Sequence, residues 1–156
     1  YVYKRQPMSY DLQTLSDRAE ILEVLSRYGR ALDTKDWDLM RTVFDKDGSA
    51  DFAIGRPFEG IDDVIVGCRS QMDFLDNTQH FMGNHEIEID GDRARGRCQL
   101  IGSAFLQTKA GAPSACLRGE YVDEYVRTDE GWRIADRVLT ITWGEGNTAI
   151  LSQQHA

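Results

Sequence analysis

The hydrophobic period of the chain changes once, and that change most constrains what it can fold into. Up to about residue 75, apolar residues recur at steps of three and four; from His80 onward they alternate with polar ones. The first spacing lines one face of a helix, and the second lines one face of a strand. Ile21, Leu22, Leu25, Tyr28, Gly29 and Leu32 mark a first helix. Ser16 is its expected cap, with Asp17 and Glu20 in the first turn, where the helix dipole favours acids. Trp37, Met40, Val43 and Phe44 predict a second helix over about 34–44, capped by Thr34 and stopped at Gly48 by a positive φ. A short strand over 49–54 and a third helix over 61–75 follow. Four long strands are then expected at 80–89, 93–107, 116–128 and 132–143. Turn residues separate them: Asp90, Gly91 and Asp92; Lys109 to Pro113; Asp129, Glu130 and Gly131.

Helices set apart from a run of hairpin-linked strands imply an α+β fold. The expected form is a curved, mostly antiparallel sheet wrapped on three helices from the N-terminal half, with an apolar pocket on its concave side. The 156 residues suit one domain. Its expected span is 8–144, followed by an irregular tail over 145–156. Residues 1–7 resemble adapter-derived sequence and are expected to be a disordered, non-native leader.

Charge narrows the function. Eighteen basic residues against 26 acidic ones leave a formal charge of −8. Nucleic-acid binding and anionic membranes both call for a basic face, so neither partner is expected. No apolar run approaches the roughly 20 residues of a membrane span. Cys68, Cys98 and Cys116 are odd in number, widely spaced and without a C-x-x-C pair. They read as small buried hydrophobes in a reducing, cytoplasmic setting. Phosphate-binding, dinucleotide-binding and G-x-S-x-G motifs are absent from the sequence. His80 and His85 are five apart on one expected strand and so should face opposite sides, which argues against a shared metal. No metal and no cofactor is expected.

Four polar residues stand where the pattern asks for apolar ones or at the end of an element. Tyr28 lies on the buried stripe of the first helix, and Asp33 near its end, where capping the next helix is the alternative reading. His80 opens a strand, and Arg137 sits mid-strand between Ala135 and Leu139.

Three blocks carry a resemblance. They run from Arg27 through Asp33 to Trp37, from Thr78 to Asn84, and from Gly119 to Arg127 with Gly131 to Arg137. Together they resemble the SnoaL-like, nuclear-transport-factor-2-like superfamily over about residues 14–143. The resemblance implies a cone-shaped, cystatin-like α+β barrel with three helices over a deep apolar pocket. It is nearest the lyase branch of lindane dehydrochlorinase, bile-acid 7α-dehydratase and scytalone dehydratase, where a helix-end Asp and a strand His form a catalytic dyad. Asp33 and His80 fall at those positions, and Arg137 stands where the dehydrochlorinase has a pocket arginine. Tyr28 matches the bile-acid dehydratase rather than the lysine of the dehydrochlorinase, which favours loss of a hydroxyl. The ketosteroid-isomerase base position holds Phe52, with Asp51 one residue away, which disfavours that chemistry.

The implied activity is cofactor-independent elimination from a small cyclic or polycyclic hydrophobe. His80 acts as base, Asp33 orients it, Tyr28 donates a hydrogen bond and Arg137 stabilises developing negative charge. Imidazole suits the task because its unperturbed pKa of about 6.5 lies near neutrality. The same dyad would serve a SnoaL-type polyketide cyclase, and a non-catalytic ligand-binding module is the third reading. The resemblance also implies a homo-oligomer, trimer or dimer.

Overall fold

The structure is a computed structural model that describes residues 9–107 and 111–152. The expected leader over 1–7 lies outside the described residues. Helix α1 spans Leu12–Thr34, α2 Trp37–Met40 and α3 Ile61–Met72. Strand β1 spans Phe44–Asp51, β2 Phe58–Glu59, β3 Asn77–Asp90, β4 Arg93–Phe105, β5 Ser114–Thr128 and β6 Gly131–Gly146. They form one curved, unclosed sheet in the order β2-β1-β6-β5-β4-β3. All neighbours are antiparallel except β1 and β6, which run parallel. The expected α+β architecture is therefore present. No helix among the described residues is long and apolar enough to cross a membrane.

Several local expectations are corrected. Asp11, not Ser16, caps α1, accepting the Thr14 amide at 2.7 Å. Asp17 and Glu20 are consequently not first-turn acids. The Asp17 side chain is 4% exposed and accepts two hydrogen bonds from Arg127, at 2.7 and 2.8 Å. It also accepts the Trp132 indole N–H at 3.0 Å, and Glu20 accepts the Trp132 amide at 2.9 Å. Both acids tie α1 to the far hairpin.

The second helix is a single turn, and Asp36 caps it rather than Thr34. The chain turns at Arg41–Val43 and enters β1 at Phe44, where the predicted helix was ending. Pairing with β6 (Phe44 opposite Ile134) outweighs weak local helix preference in Thr42, Val43 and Phe44. Gly48 lies inside β1 and stops no helix. A Cβ there would meet the Ile134 carbonyl oxygen at 2.9 Å, so glycine permits close approach of the two strands. The helix-stopping positive φ belongs to Lys35, at 54°.

The described part of the tail, residues 145–152, is largely ordered into elements. Strand β6 continues to Gly146, and Thr148–Leu151 form a 3-10 turn. Ile150 is buried there with Leu75, Ala104 and Ala115. Cys68 and Cys98 are buried, but Cys116 is only half-buried.

The Asp17 cluster yields a stability prediction. Bidentate hydrogen bonding from Arg127 holds the Asp17 carboxyl far below the usual carboxylate range, against the opposing effect of its own desolvation. Its contribution is complete above its unfolded pKa of about 3.9 and fades as pH falls towards the folded value. Asp17→Asn should cost about 3 kcal/mol at pH 7, because it leaves Arg127 and Trp132 incompletely paired. The gap between variant and parent should narrow below about pH 4, where the parent loses what the variant never had. Urea unfolding at several pH values measures both.

Candidate active site

The concave side of the sheet, α1 and α3 enclose a cavity of about 820 Å³, part of it open to solvent. Apolar walls dominate: Leu32, Phe52, Met72, Leu100, Leu117 and Leu139 among them. Leu151, from the C-terminal turn, also lines it. Among the described residues, none that lines it is Lys, Arg, Asp or Glu. Tyr28, His80 and Tyr121 supply its most prominent polar groups, with Thr78 and Ser103 beside them.

Asp33 sits in the last turn of α1 and points to β3. Its carboxylate receives the His80 ring Nδ1 at 2.7 Å, the His80 backbone N–H at 2.9 Å and the Thr78 hydroxyl at 2.9 Å. The capping reading of Asp33 therefore fails; Asp36 caps α2. Two features hold helix and strand in place. Lys35, just past α1, donates from Nζ to the Leu75 carbonyl at 2.6 Å, shortly before β3. Gly29 lets α1 pack tightly, since a Cβ would meet the Met82 methyl at 3.1 Å and the His80 carbonyl oxygen at 3.4 Å.

The His80 side chain is 9% exposed and the Asp33 side chain 23%. Burial alone would raise the Asp33 carboxyl, but the hydrogen bonds from the His80 ring and amide and from Thr78 bring it below its ordinary value. The acceptor on Nδ1 favours the tautomer with hydrogen there. His80 Nε2, with no protein partner among the described residues, is then the nitrogen able to accept a proton.

Arg137 is not where the sequence places it functionally. It does not line the cavity, and its exposure is 0%. It donates from Nε and Nη2 to the two Asp123 oxygens at 2.7 and 2.8 Å. Burial works against its charge, but Asp123 holds its pKa well above the ordinary arginine value. Its guanidinium carbon lies 4.1 Å from the Tyr28 ring centre and 4.0 Å from that of Tyr121. The cation thus lies over both phenol rings, which meet edge to face at 81°. Their hydroxyl oxygens are 3.4 Å apart. Tyr125 completes this floor by donating to Asp123 at 2.8 Å.

The expected opposition of His80 and His85 is also corrected. A register shift between Gly83 and Glu86 interrupts β3, and Asn84 has φ 53°. Because one extra residue reverses side-chain parity, both histidines fall on the inner side. Burial lowers the His85 pKa, and its Nδ1 has no partner among the described residues. Among the described residues no group of three or more His, Cys, Asp or Glu side chains could hold a metal.

Thr78, Tyr121 and Asp123 were missed as site residues. The signal for Thr78 was its place two residues before His80, on the same strand face. That for the others was an aromatic, acid, aromatic alternation over Tyr121, Asp123 and Tyr125 on one buried strand face.

Known proteins resemble this chain in sequence or in fold. A protein of Mycobacterium tuberculosis is 32% identical over 129 residues, covering 81% of this chain and 86% of its own length. A dehydratase of Pestalotiopsis microspora is 28% identical over 132 residues, with 77% and 83% covered. The crystal structure of a Kribbella flavida protein superposes with a TM-score of 0.82 at 29% identity, covering 88% and 97%. Hexachlorocyclohexane dehydrochlorinase LinA-type3 from Novosphingobium barchaimii shares the fold, with a TM-score of 0.78 at 16% identity and coverage of 88% and 94%. The family model of the SnoaL-like domain matches residues 13–138, from the start of α1 into β6. That span holds every element lining the cavity except the end of β6 and the C-terminal turn, and it makes the chain a member of the SnoaL-like domain family.

Proposed function

We propose that the chain is a cofactor-independent lyase that eliminates water from a small, cyclic, hydrophobic substrate. The observation that carries this reading is the Asp33–His80 pair at the wall of an apolar cavity. His80 Nε2 takes a carbon-bound proton, and Asp33 stabilises the imidazolium that results. The C–H electron pair forms the new double bond, the neighbouring C–O bond breaks, and the departing hydroxyl leaves as water by taking the proton from the His80 imidazolium, which restores the neutral base. Tyr28 donates a hydrogen bond to a substrate oxygen. The dehydratase relative and the dehydrochlorinase with the same fold support elimination as the reaction class. A tyrosine rather than a lysine at position 28 favours an oxygen leaving group over a halide.

The test is a panel of hydroxylated and halogenated ring ketones, followed by mass spectrometry for loss of water or hydrogen halide. His80→Ala should remove turnover on whichever compound reacts. Full turnover by that variant would sink the proposal. Incubation in deuterated water should also place deuterium at the carbon that loses its proton, when unreacted substrate is recovered from a reversible step.

A further inference from the structure

We propose that Tyr121 joins Tyr28 as a two-phenol donor for a carbonyl oxygen of an uncharged substrate, and that Arg137 is a positioning residue behind this pair. The proposal rests on the lyase reading for its reaction, but on separate observations for its geometry.

The first observation is a proton count. Tyr28 and Tyr121 are each 2% exposed, and both line the cavity. Two hydroxyls carry two donor protons; a carbonyl oxygen, with two lone pairs, can accept both, whereas their mutual contact uses only one. Among the described residues no acceptor takes the other. A donor buried without a partner is costly, so the ligand that fills the cavity is expected to bring an acceptor.

The second observation is the cation. The Arg137 guanidinium carbon lies over both rings, at 4.1 and 4.0 Å from their centres, and Asp123 fixes its orientation through two hydrogen bonds. A guanidinium against an aromatic face draws on the ring's electron density. The phenol O–H groups become stronger donors, and the positive charge itself stays out of contact with the ligand. Burial pushes the Tyr121 phenol up to about 12 and Tyr28 well above its ordinary value, so both are neutral donors near pH 7 and not bases.

The third observation concerns charge. With no Lys or Arg among the described residues of the cavity wall, a carboxylate or phosphate on the ligand would enter without a compensating cation. The substrate class is therefore an uncharged oxygenated ring compound. Its carbonyl sits on the phenols, and its acidic C–H faces His80. Charge that develops on the carbonyl oxygen during proton removal is met by donors already in place.

Infrared difference spectroscopy of bound 1-tetralone, a neutral bicyclic ketone, tests this. Wild-type protein should bind it with the carbonyl stretch lowered by hydrogen bonding. Tyr121→Phe keeps the ring on Arg137 and removes only the hydroxyl. It should weaken binding about 5–10-fold, the size expected for one neutral hydrogen bond, and return the stretch towards its value in apolar solvent. Tyr28→Phe gives an independent second reading. His80→Ala should leave the carbonyl stretch lowered, so failure here is distinct from failure of the dyad, which is read from turnover. The double variant Asp123→Leu/Arg137→Met should still bind, with the stretch moved only part of the way. A purely structural Arg137 would leave the stretch unmoved in that variant, which would overturn its positioning role. The proposal is also overturned if 1-tetralone fails to bind at millimolar concentration. A wild-type stretch and affinity in Tyr121→Phe, or a stretch that responds to His80→Ala instead, would do the same.

Discussion

Asp33→Asn should lower turnover by about 10²–10⁴-fold while the protein stays folded, the range a positioned base supplies. The substitution keeps the shape of the side chain and removes its charge. Asp33 now satisfies three donors: the His80 ring, the His80 amide and the Thr78 hydroxyl. Asparagine offers one oxygen where the carboxylate offers two, and its NH₂ group would face a donor. The imidazole then has reason to rotate or to move its hydrogen to Nε2, the nitrogen that must accept the substrate proton. The imidazolium formed by proton transfer also loses its stabilising charge. Steady-state rates on a compound found by the ketone panel measure the loss. A rate within threefold of wild type would show that the carboxylate does not serve His80. Thermal melting separates this from a loss of fold.

The second large effect falls on stability. Asp123→Ala should destabilise the protein by about 3–5 kcal/mol, because it strands a buried arginine. Both side chains of the pair are 0% exposed. The loss is a large share of the roughly 5–15 kcal/mol that holds a domain folded. It would also orphan the Tyr125 hydroxyl, which donates to the same carboxylate. The double variant Asp123→Leu/Arg137→Met should recover most of this, since well-packed apolar residues replace a buried ion pair at little cost. Urea unfolding of the two variants and the parent measures the cycle. A loss below about 1 kcal/mol for Asp123→Ala would show that Arg137 finds water or another acceptor.

The register explains why this pair was hidden. Counting back from the turn at Asp129 and Glu130 places Asp136 opposite Asp123. A one-residue shift between Glu124 and Tyr125 places Arg137 there instead. The same shift turns Arg137 inward alongside Leu139 and breaks its parity with Ala135. The irregularity in β3 likewise brings His85 to the side of His80. Such irregularities leave little trace in a hydrophobic pattern, because the residues around them remain strand-forming. What was legible had a local cause. Periodicity marked α1, α3 and the four long strands, and turn residues marked their hairpins. Asp33 and His80 were visible because they combined an unusual place in the pattern with a recognisable spacing. The extent of α2 was not legible, since Val43 and Phe44 suit a helix face as well as a strand that pairs with distant β6. Asp17 was misread for a similar reason: its partner Arg127 lies 110 residues away.

Those long ties bear on how the chain acquires its structure as it is made. The buried face of α1 and its Asp17 are synthesised early, but Arg127 and Trp132 follow more than a hundred residues later. Strand β1 likewise waits for β6, its parallel neighbour. On a ribosome adding about 5–20 residues per second, α1 and β1 spend several seconds with their apolar faces unmatched. Contacts so distant in sequence also slow the closing of the fold. Nascent chains of this protein should therefore stay open to chaperones, proteases and each other until the last strand emerges, and the fold should then close late and as a unit.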